Sequence, residues 1–141
     1  MTKAQFLSLL KANPLVASVQ ASPGSAWDDT ETLRRMALAS VSQGVNVLRL
    51  EGIERARGMR EATKCQVIGL VKRWEAGSEV YITPRVQDVS ALAAAGCEAV
   101  AMDATTRPRP GGETLHHLVQ ACQEAGLLAV GDCDSRESYD Y

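Results

Sequence analysis

Short apolar runs alternate with helix-like segments along most of the chain. Five of these runs, near residues 15–20, 45–50, 66–71, 98–103 and 127–132, are rich in Val, Leu, Ile and Ala. Such runs are typical of parallel strands that are buried on both faces. Between them, apolar residues recur at helical spacing, as at Leu33, Met36 and Ala37, and Phe6, Leu9 and Leu10 predict a further helix before the first strand. The pattern therefore predicts a regular alternation of strands and helices.

The spacing of the runs favours one α/β architecture. The strands recur roughly every 20 to 30 residues, close to the unit of about 30 residues in a (β/α)₈ barrel. A flavodoxin-like open sheet also has five strands, so the pattern alone does not decide between the two folds. We predict a partial TIM (β/α)₈ barrel, made of the first five parallel β/α units in a single incomplete domain over residues 1–141.

An eight-stranded barrel cannot close with five strands, so strands one and five are expected to present unpaired edges. We accordingly expect the isolated chain to fold poorly, to self-associate as a homo-oligomer, or to need a complementing fragment.

Composition narrows the classes of partner. Fifteen Lys and Arg residues against seventeen Asp and Glu residues give a net charge of -2, which disfavours nucleic acid and acidic membrane surfaces as partners. The four cysteines are widely spaced and lack zinc-ligand intervals, which indicates reduced thiols and no metal site. The chain begins without the long apolar stretch of a secretory signal. These features predict a cytoplasmic protein.

Polar residues follow each predicted strand. Chemistry in parallel α/β folds is placed at the carboxyl ends of strands, because those ends share one mouth. The residues found there are Gln20, Arg49, Glu51, Lys72, Arg73, Asp103 and Asp132. Any one of them could be a solvated surface residue. Together, cations and carboxylates at one mouth suit a polyhydroxylated, anionic small molecule.

Five motifs at these strand ends carry a family resemblance. They are SVQA at 18–21, LRLEG at 48–52, IGLVKR at 68–73, VYITP at 80–84 and MDATTRPRP at 102–110. In this order they resemble the N-acetylmannosamine-6-phosphate 2-epimerases, which are TIM-barrel isomerases of bacterial sialic acid breakdown. The resemblance extends over nearly the whole chain, to about Cys133.

The resemblance implies an activity and a set of residue roles. The family converts N-acetylmannosamine 6-phosphate to N-acetylglucosamine 6-phosphate by proton transfer at carbon 2, without metal or cofactor. Lys72 matches the catalytic lysine, and it must be neutral to take that proton. Arg49 matches a substrate-site arginine that could stabilise the oxyanion. Gln20 and Asp132 match residues that hold the amide and hydroxyl groups of the sugar, and Asp103 lies at the same mouth with a less definite role in substrate binding.

Two parts that the resemblance implies do not occur in the sequence. A Glu-Gly-Arg segment near strand seven would supply the proton donor on the opposite face, and loops after strands seven and eight would grip the phosphate. We therefore expect a C-terminally truncated family member. An alternative is a non-catalytic half-barrel remnant that binds sugar phosphates or promotes oligomerisation.

Overall fold

Five strands and six α-helices alternate in the computed structural model, which describes residues 1–140. Tyr141, the last residue of the predicted domain, lies outside the described residues. The strands are β1 (Val16–Val19), β2 (Val47–Glu51), β3 (Gln66–Leu70), β4 (Ala99–Asp103) and β5 (Leu128–Asp132). The helices are α1 (Lys3–Ala12), α2 (Thr30–Ser42), α3 (Ile53–Ala62), α4 (Val86–Ala94), α5 (Leu115–Glu124) and α6 (Arg136–Asp140), and a 3₁₀ turn covers Pro110–Gly112.

All five strands are parallel, and they pair in chain order as β1-β2-β3-β4-β5. Each strand thus lies beside the next one in sequence, as in the opening half of a (β/α)₈ barrel and unlike the crossed order of a flavodoxin-like sheet. The predicted fold class is confirmed. The pairing of β3 with β4 is short, covering only Ile68 with Ala99 and Gly69 with Val100.

Strand alternation divides the apolar residues between two clusters. The outer cluster joins one face of the strands, including Leu48, Val67 and Val100, to the flanking helices. The inner cluster contains Val47, Ile68, Leu70, Ala99 and Ala101, which are buried on the other face. Since side chains alternate along a strand, the two clusters occupy the two sides of one sheet.

Helix α1 covers the amino-terminal end of the inner face, where Phe6 is buried within the inner cluster. The helix begins with a capping box, in which the Thr2 hydroxyl accepts from the Gln5 amide and the Gln5 side chain accepts from the Thr2 amide. No helix within residues 1–140 combines the length and the apolar character needed to span a bilayer.

Both outer edges of the sheet are free within the described part of the chain, where β1 pairs only with β2 and β5 only with β4. The inner face between them forms an apolar groove of about 550 Å³. Its lining includes Phe6, Leu10, Ile68, Leu128 and Val130.

Candidate functional site

The inner face of every strand ends in a polar residue. Along β2, Val47 belongs to the inner cluster, so the alternation places Arg49 on the same face. The same count along the other strands places the remaining predicted site residues there as well: Gln20 after β1, Lys72 after β3, Asp103 on β4 and Asp132 on β5. The alternation of side chains along the strands thus places all five side chains at the carboxyl-terminal mouth of the inner face.

Arg49 and Asp132 meet directly across this mouth. The Arg49 Nη2 atom donates to Asp132 Oδ2 at 2.5 Å, although β3 and β4 separate the two strands in the sheet. Both side chains are little more than one quarter exposed. The contact therefore spans the hollow of the curved sheet and holds β2 and β5 at opposite sides of one site.

The electrostatics of this pair leave it able to bind other groups. Burial raises the pKa of the Asp132 carboxyl, and the neighbouring Asp103 raises it further, while Arg49 opposes the shift. The Nε atom of Arg49 is buried and has no hydrogen-bond partner among residues 1–140. An unsatisfied buried donor is costly, so a ligand that accepts from it would gain free energy.

Lys72 lines a neighbouring cavity of about 490 Å³ at the same mouth. Glu51 and Arg55 contribute charged groups to its wall, and Trp74 contributes an aromatic face. The Trp74 ring stacks on Tyr81, with 5.1 Å between the centroids and 6° between the planes. A cavity of this size, with mixed charges and one aromatic wall, suits a polar metabolite the size of a sugar phosphate.

The other two predicted residues are engaged with their own segments. The Gln20 amide donates to the Ser18 hydroxyl at 2.8 Å. Asp103 is buried, and its Oδ1 accepts from both the amide of Thr105 at 2.8 Å and the Thr105 hydroxyl at 2.6 Å. This contact shapes the loop after β4, because an aspartate that accepts from the amide two residues later fixes a tight turn.

The predicted site set omitted an ion-pair network at the rim. Arg55 on α3 donates to Asp28 at 2.7 Å and to Glu51 at 3.2 Å, which joins the loop after β1 to the end of β2. Glu51 was identified from the sequence as a polar residue at the end of the second strand, but it was not assigned a role in the site. Asp28 gave no comparable signal, since its contact depends on the path of a loop.

No group of three or more potential metal ligands occurs among the residues that the structure describes.

A family model matches residues 33–140 of the chain, from helix α2 through the last described helix. The model is that of NanE, described as "Putative N-acetylmannosamine-6-phosphate epimerase". The chain belongs to the NanE family. The matched segment includes four of the five inward polar residues, and the resemblance predicted from the motifs is confirmed.

Individual NanE relatives match most of the chain. A protein of Yersinia pseudotuberculosis serotype O:1b, named "Putative N-acetylmannosamine-6-phosphate 2-epimerase", is 42% identical over 123 residues, which cover 87% of this chain and 52% of the relative. A protein of the same name from Clostridium perfringens strain SM101 is 37% identical over 132 residues, which cover 94% and 59% of the two chains.

A solved NanE structure has the same fold. The N-acetylmannosamine-6-phosphate 2-epimerase from Clostridium perfringens superimposes with a TM-score of 0.90 at 34% identity, over 98% of this chain and 60% of that one. The chain thus spans between about half and three fifths of the length of these NanE relatives.

Proposed function

We propose that this chain carries the proton-abstracting side of a NanE active site and acts on N-acetylmannosamine 6-phosphate. The reaction is proton transfer at carbon 2, which leads to N-acetylglucosamine 6-phosphate in the breakdown of sialic acid and other amino sugars. The site that goes with this proposal comprises Lys72 as the base and Gln20, Arg49, Asp103 and Asp132 as substrate-binding residues. The location that goes with it is the cytoplasm.

The chemistry requires a base and a cation at one mouth. In the open-chain sugar, carbon 2 lies next to the aldehyde, so removal of its proton by Lys72 Nζ leaves an enediolate. The proton resides on the amine while the negative charge spreads to the carbonyl oxygen. A guanidinium at that oxygen stabilises the charge as it forms. Return of a proton to the same face restores the substrate, and return to the opposite face gives the epimer.

The contact between Arg49 and Asp132 is the observation that carries the proposal. It supports a single hollow shared by β2 and β5, and Lys72 lines the adjoining cavity. The Nε atom of Arg49 has no hydrogen-bond partner within residues 1–140, so this donor is unused in the absence of substrate. Asp132, whose pKa burial raises, can accept from a sugar hydroxyl or amide once the substrate separates it from Arg49.

The test is deuterium uptake at carbon 2 from heavy water, followed by NMR with N-acetylmannosamine 6-phosphate as substrate. We expect the wild-type chain to exchange this proton. Lys72→Arg keeps a long side chain that ends in nitrogen but cannot act as a base, because a guanidinium stays protonated, so exchange should fall by at least about 100-fold. Lys64→Arg makes the same change before β3, at the opposite end of that strand, and should leave exchange unaltered.

Exchange that persists at the wild-type level in Lys72→Arg would contradict the assignment of Lys72. A wild-type chain that exchanges nothing would contradict the proposed function itself. A chain that binds the sugar phosphate saturably, with no exchange, would instead act as a half-barrel binding module. Within residues 1–140 the edges of β1 and β5 are unpaired and the barrel is not closed, which is the observation that motivates this second function.

A further inference from the structure

A short segment after β3 separates the ends of β3 and β4. The two strands pair only as far as Gly69 and Val100. Beyond that point, the Thr83 amide donates to the Val71 carbonyl at 2.7 Å on one side, and the Asp103 amide donates to the Ile82 carbonyl at 3.1 Å on the other. Residues 82–83, which we call the wedge, therefore take the place of direct pairing between the ends that carry Lys72 and Asp103.

The Thr83 hydroxyl completes the wedge. It accepts from the Val71 amide at 3.2 Å and donates to the Ala101 carbonyl at 2.6 Å, so a single oxygen joins β3 to β4. The side chain is fully buried. A hydroxyl can satisfy one buried donor and one buried acceptor at the same time, which no apolar side chain can do.

The backbone at Thr83 adopts an unfavourable conformation to reach this position. Its φ angle is +43°, in the left-handed region that β-branched residues rarely occupy. Such a residue persists only where surrounding contacts determine its conformation, and such residues cluster at functional sites. Here the contacts include Arg109, which is buried and donates to the Thr83 carbonyl at 3.2 Å and also to the Asp103 carbonyl.

The wedge and the preceding residue, Tyr81, also fix the backbone on both sides of Lys72. The Val71 amide bonds to the Thr83 hydroxyl, and the Arg73 amide donates to the Tyr81 carbonyl at 2.9 Å. Lys72 itself pairs with Ile82 as an isolated antiparallel bridge. Within residues 1–140, the contacts that hold the backbone on both sides of Lys72 therefore come from residues 81–83.

We propose that Thr83 is a positioning residue for Lys72. The Thr83 hydroxyl sets the separation of the β3 and β4 ends and thereby directs the Lys72 amine into the cavity. This inference rests on the proposed function, in which Lys72 is the base. A base displaced by about 1 Å loses up to about 100-fold in rate, while substrate binding by other residues is preserved. Loss of the Thr83 hydroxyl should therefore lower kcat and leave KM in place.

The variants are Thr83→Val, which keeps the shape without the hydroxyl, and Thr83→Ser, which keeps the hydroxyl. Thr63→Val is the matched control, because the Thr63 hydroxyl also donates to a carbonyl, that of Met59, and accepts from an amide, that of Cys65, at the opposite end of β3. All are compared by the kcat and KM of deuterium uptake at carbon 2. Thermal unfolding of each variant defines a temperature at which it is folded.

We expect Thr83→Val to lower kcat by about 10- to 100-fold with KM changed less than about twofold, and Thr83→Ser and Thr63→Val to keep the wild-type kcat. A Thr83→Val protein with wild-type kcat would overturn the inference, as would an equal loss in Thr83→Ser. Should Thr83→Val fail to fold, Thr83→Ala, which removes both the hydroxyl and the β-branch, carries the same expectation.

Amide hydrogen exchange separates this inference from the proposed function. In Thr83→Val, the Val71 and Arg73 amides should exchange at least about tenfold faster than in the wild type, while the Gln66 amide at the start of β3 is unchanged. If the wild-type chain is inactive on the sugar but Thr83→Val shows this change in amide exchange, the proposed function is refuted and the structural role of the wedge is retained. Unchanged Val71 and Arg73 amides would refute the wedge whether or not the chain is active.

Discussion

Gly69 allows β3, the strand that precedes Lys72, to lie directly against helix α4. A Cβ atom added there would lie 2.6 Å from the Cys97 Sγ atom and 2.7 Å from Leu92 Cδ2. Ordinary contact needs about 3.5–4.0 Å, so Gly69→Ala would have to displace both neighbours by roughly 1 Å. Both are buried, and overpacking of this kind costs about 1–3 kcal/mol. At roughly 2–4 °C per kcal/mol, Tm should fall by about 2–12 °C.

Gly58 provides the matched control for this substitution. It lies within helix α3, and a Cβ there would meet no atom within 4 Å. Gly58→Ala should therefore raise the unfolding free energy by about 0.5–1 kcal/mol, because alanine favours the helix and restricts the unfolded chain. The same chemical change is thus expected to have opposite signs at the two positions.

The assay is urea and thermal unfolding of the three proteins, followed by circular dichroism. A double variant with Cys97→Ala removes one of the two clashing atoms, so the two substitutions together should cost less than the sum of their separate costs. A Gly69→Ala protein as stable as the wild type would refute the close approach of β3 to α4. Additive costs in the double variant would refute the contact with Cys97.

Three further predictions concern titrating groups. Cys133 is exposed and should react with a thiol reagent in the native protein, whereas Cys97 and Cys122 should react only on unfolding, because both are buried and burial raises their thiol pKa values to about 12 and about 11. Burial also raises the pKa of Asp132 above 3.8, so the ionised form lowers the stability of the fold once the pH exceeds that value. The unfolding free energy of Asp132→Asn, measured relative to wild type, should therefore increase as the pH rises from 3.8 toward neutrality, and a difference independent of pH would contradict this. Two arginines on the same helix lower the pKa of Glu31 from 4.5 to about 2, so its stabilising contribution is present above pH 4.5 and lost as the pH falls toward 2. Glu31→Gln should differ from wild type in denaturation midpoint above pH 4.5 and converge with it near pH 2, and a gap that persists at pH 2 would argue against the ion pairs.

The fold could be predicted from the sequence because its signals are local. Runs such as 45–50 and 66–71 are apolar on both faces, and helical spacing between them leaves parallel pairing as the simplest arrangement. The strand ends then identify candidate site residues, since parallel strands share one carboxyl-terminal edge. The contact between Arg49 and Asp132 could not be predicted from these local signals. The residues are 83 positions apart, and their contact depends on how strongly the sheet curves.

The backbone conformation of Thr83 in the wedge could not be predicted from the sequence around it. Thr83 follows Ile82 in a segment whose β-branched residues favour extended backbone, and nothing in that pattern indicates a φ of +43°. The conformation is determined by partners on three other segments, namely Val71, Ala101 and Arg109. A residue whose geometry depends on so many distant partners has no signature in its own sequence neighbourhood.

Fold and candidate site nevertheless depend on one structural rule, the alternation of side chains along each strand. On β2, Val47 packs in the inner cluster and Arg49 continues the same face into the mouth, while Leu48 and Leu50 pack in the outer cluster. A register slip of one residue would bury the guanidinium under the helices and expose leucine to the mouth. The apolar residues that stabilise the sheet therefore also fix which polar side chains meet. At the carboxyl-terminal end of the inner face, direct pairing of β3 and β4 has ended. There the wedge, which contains Thr83, fixes the position of Lys72 in place of that pairing.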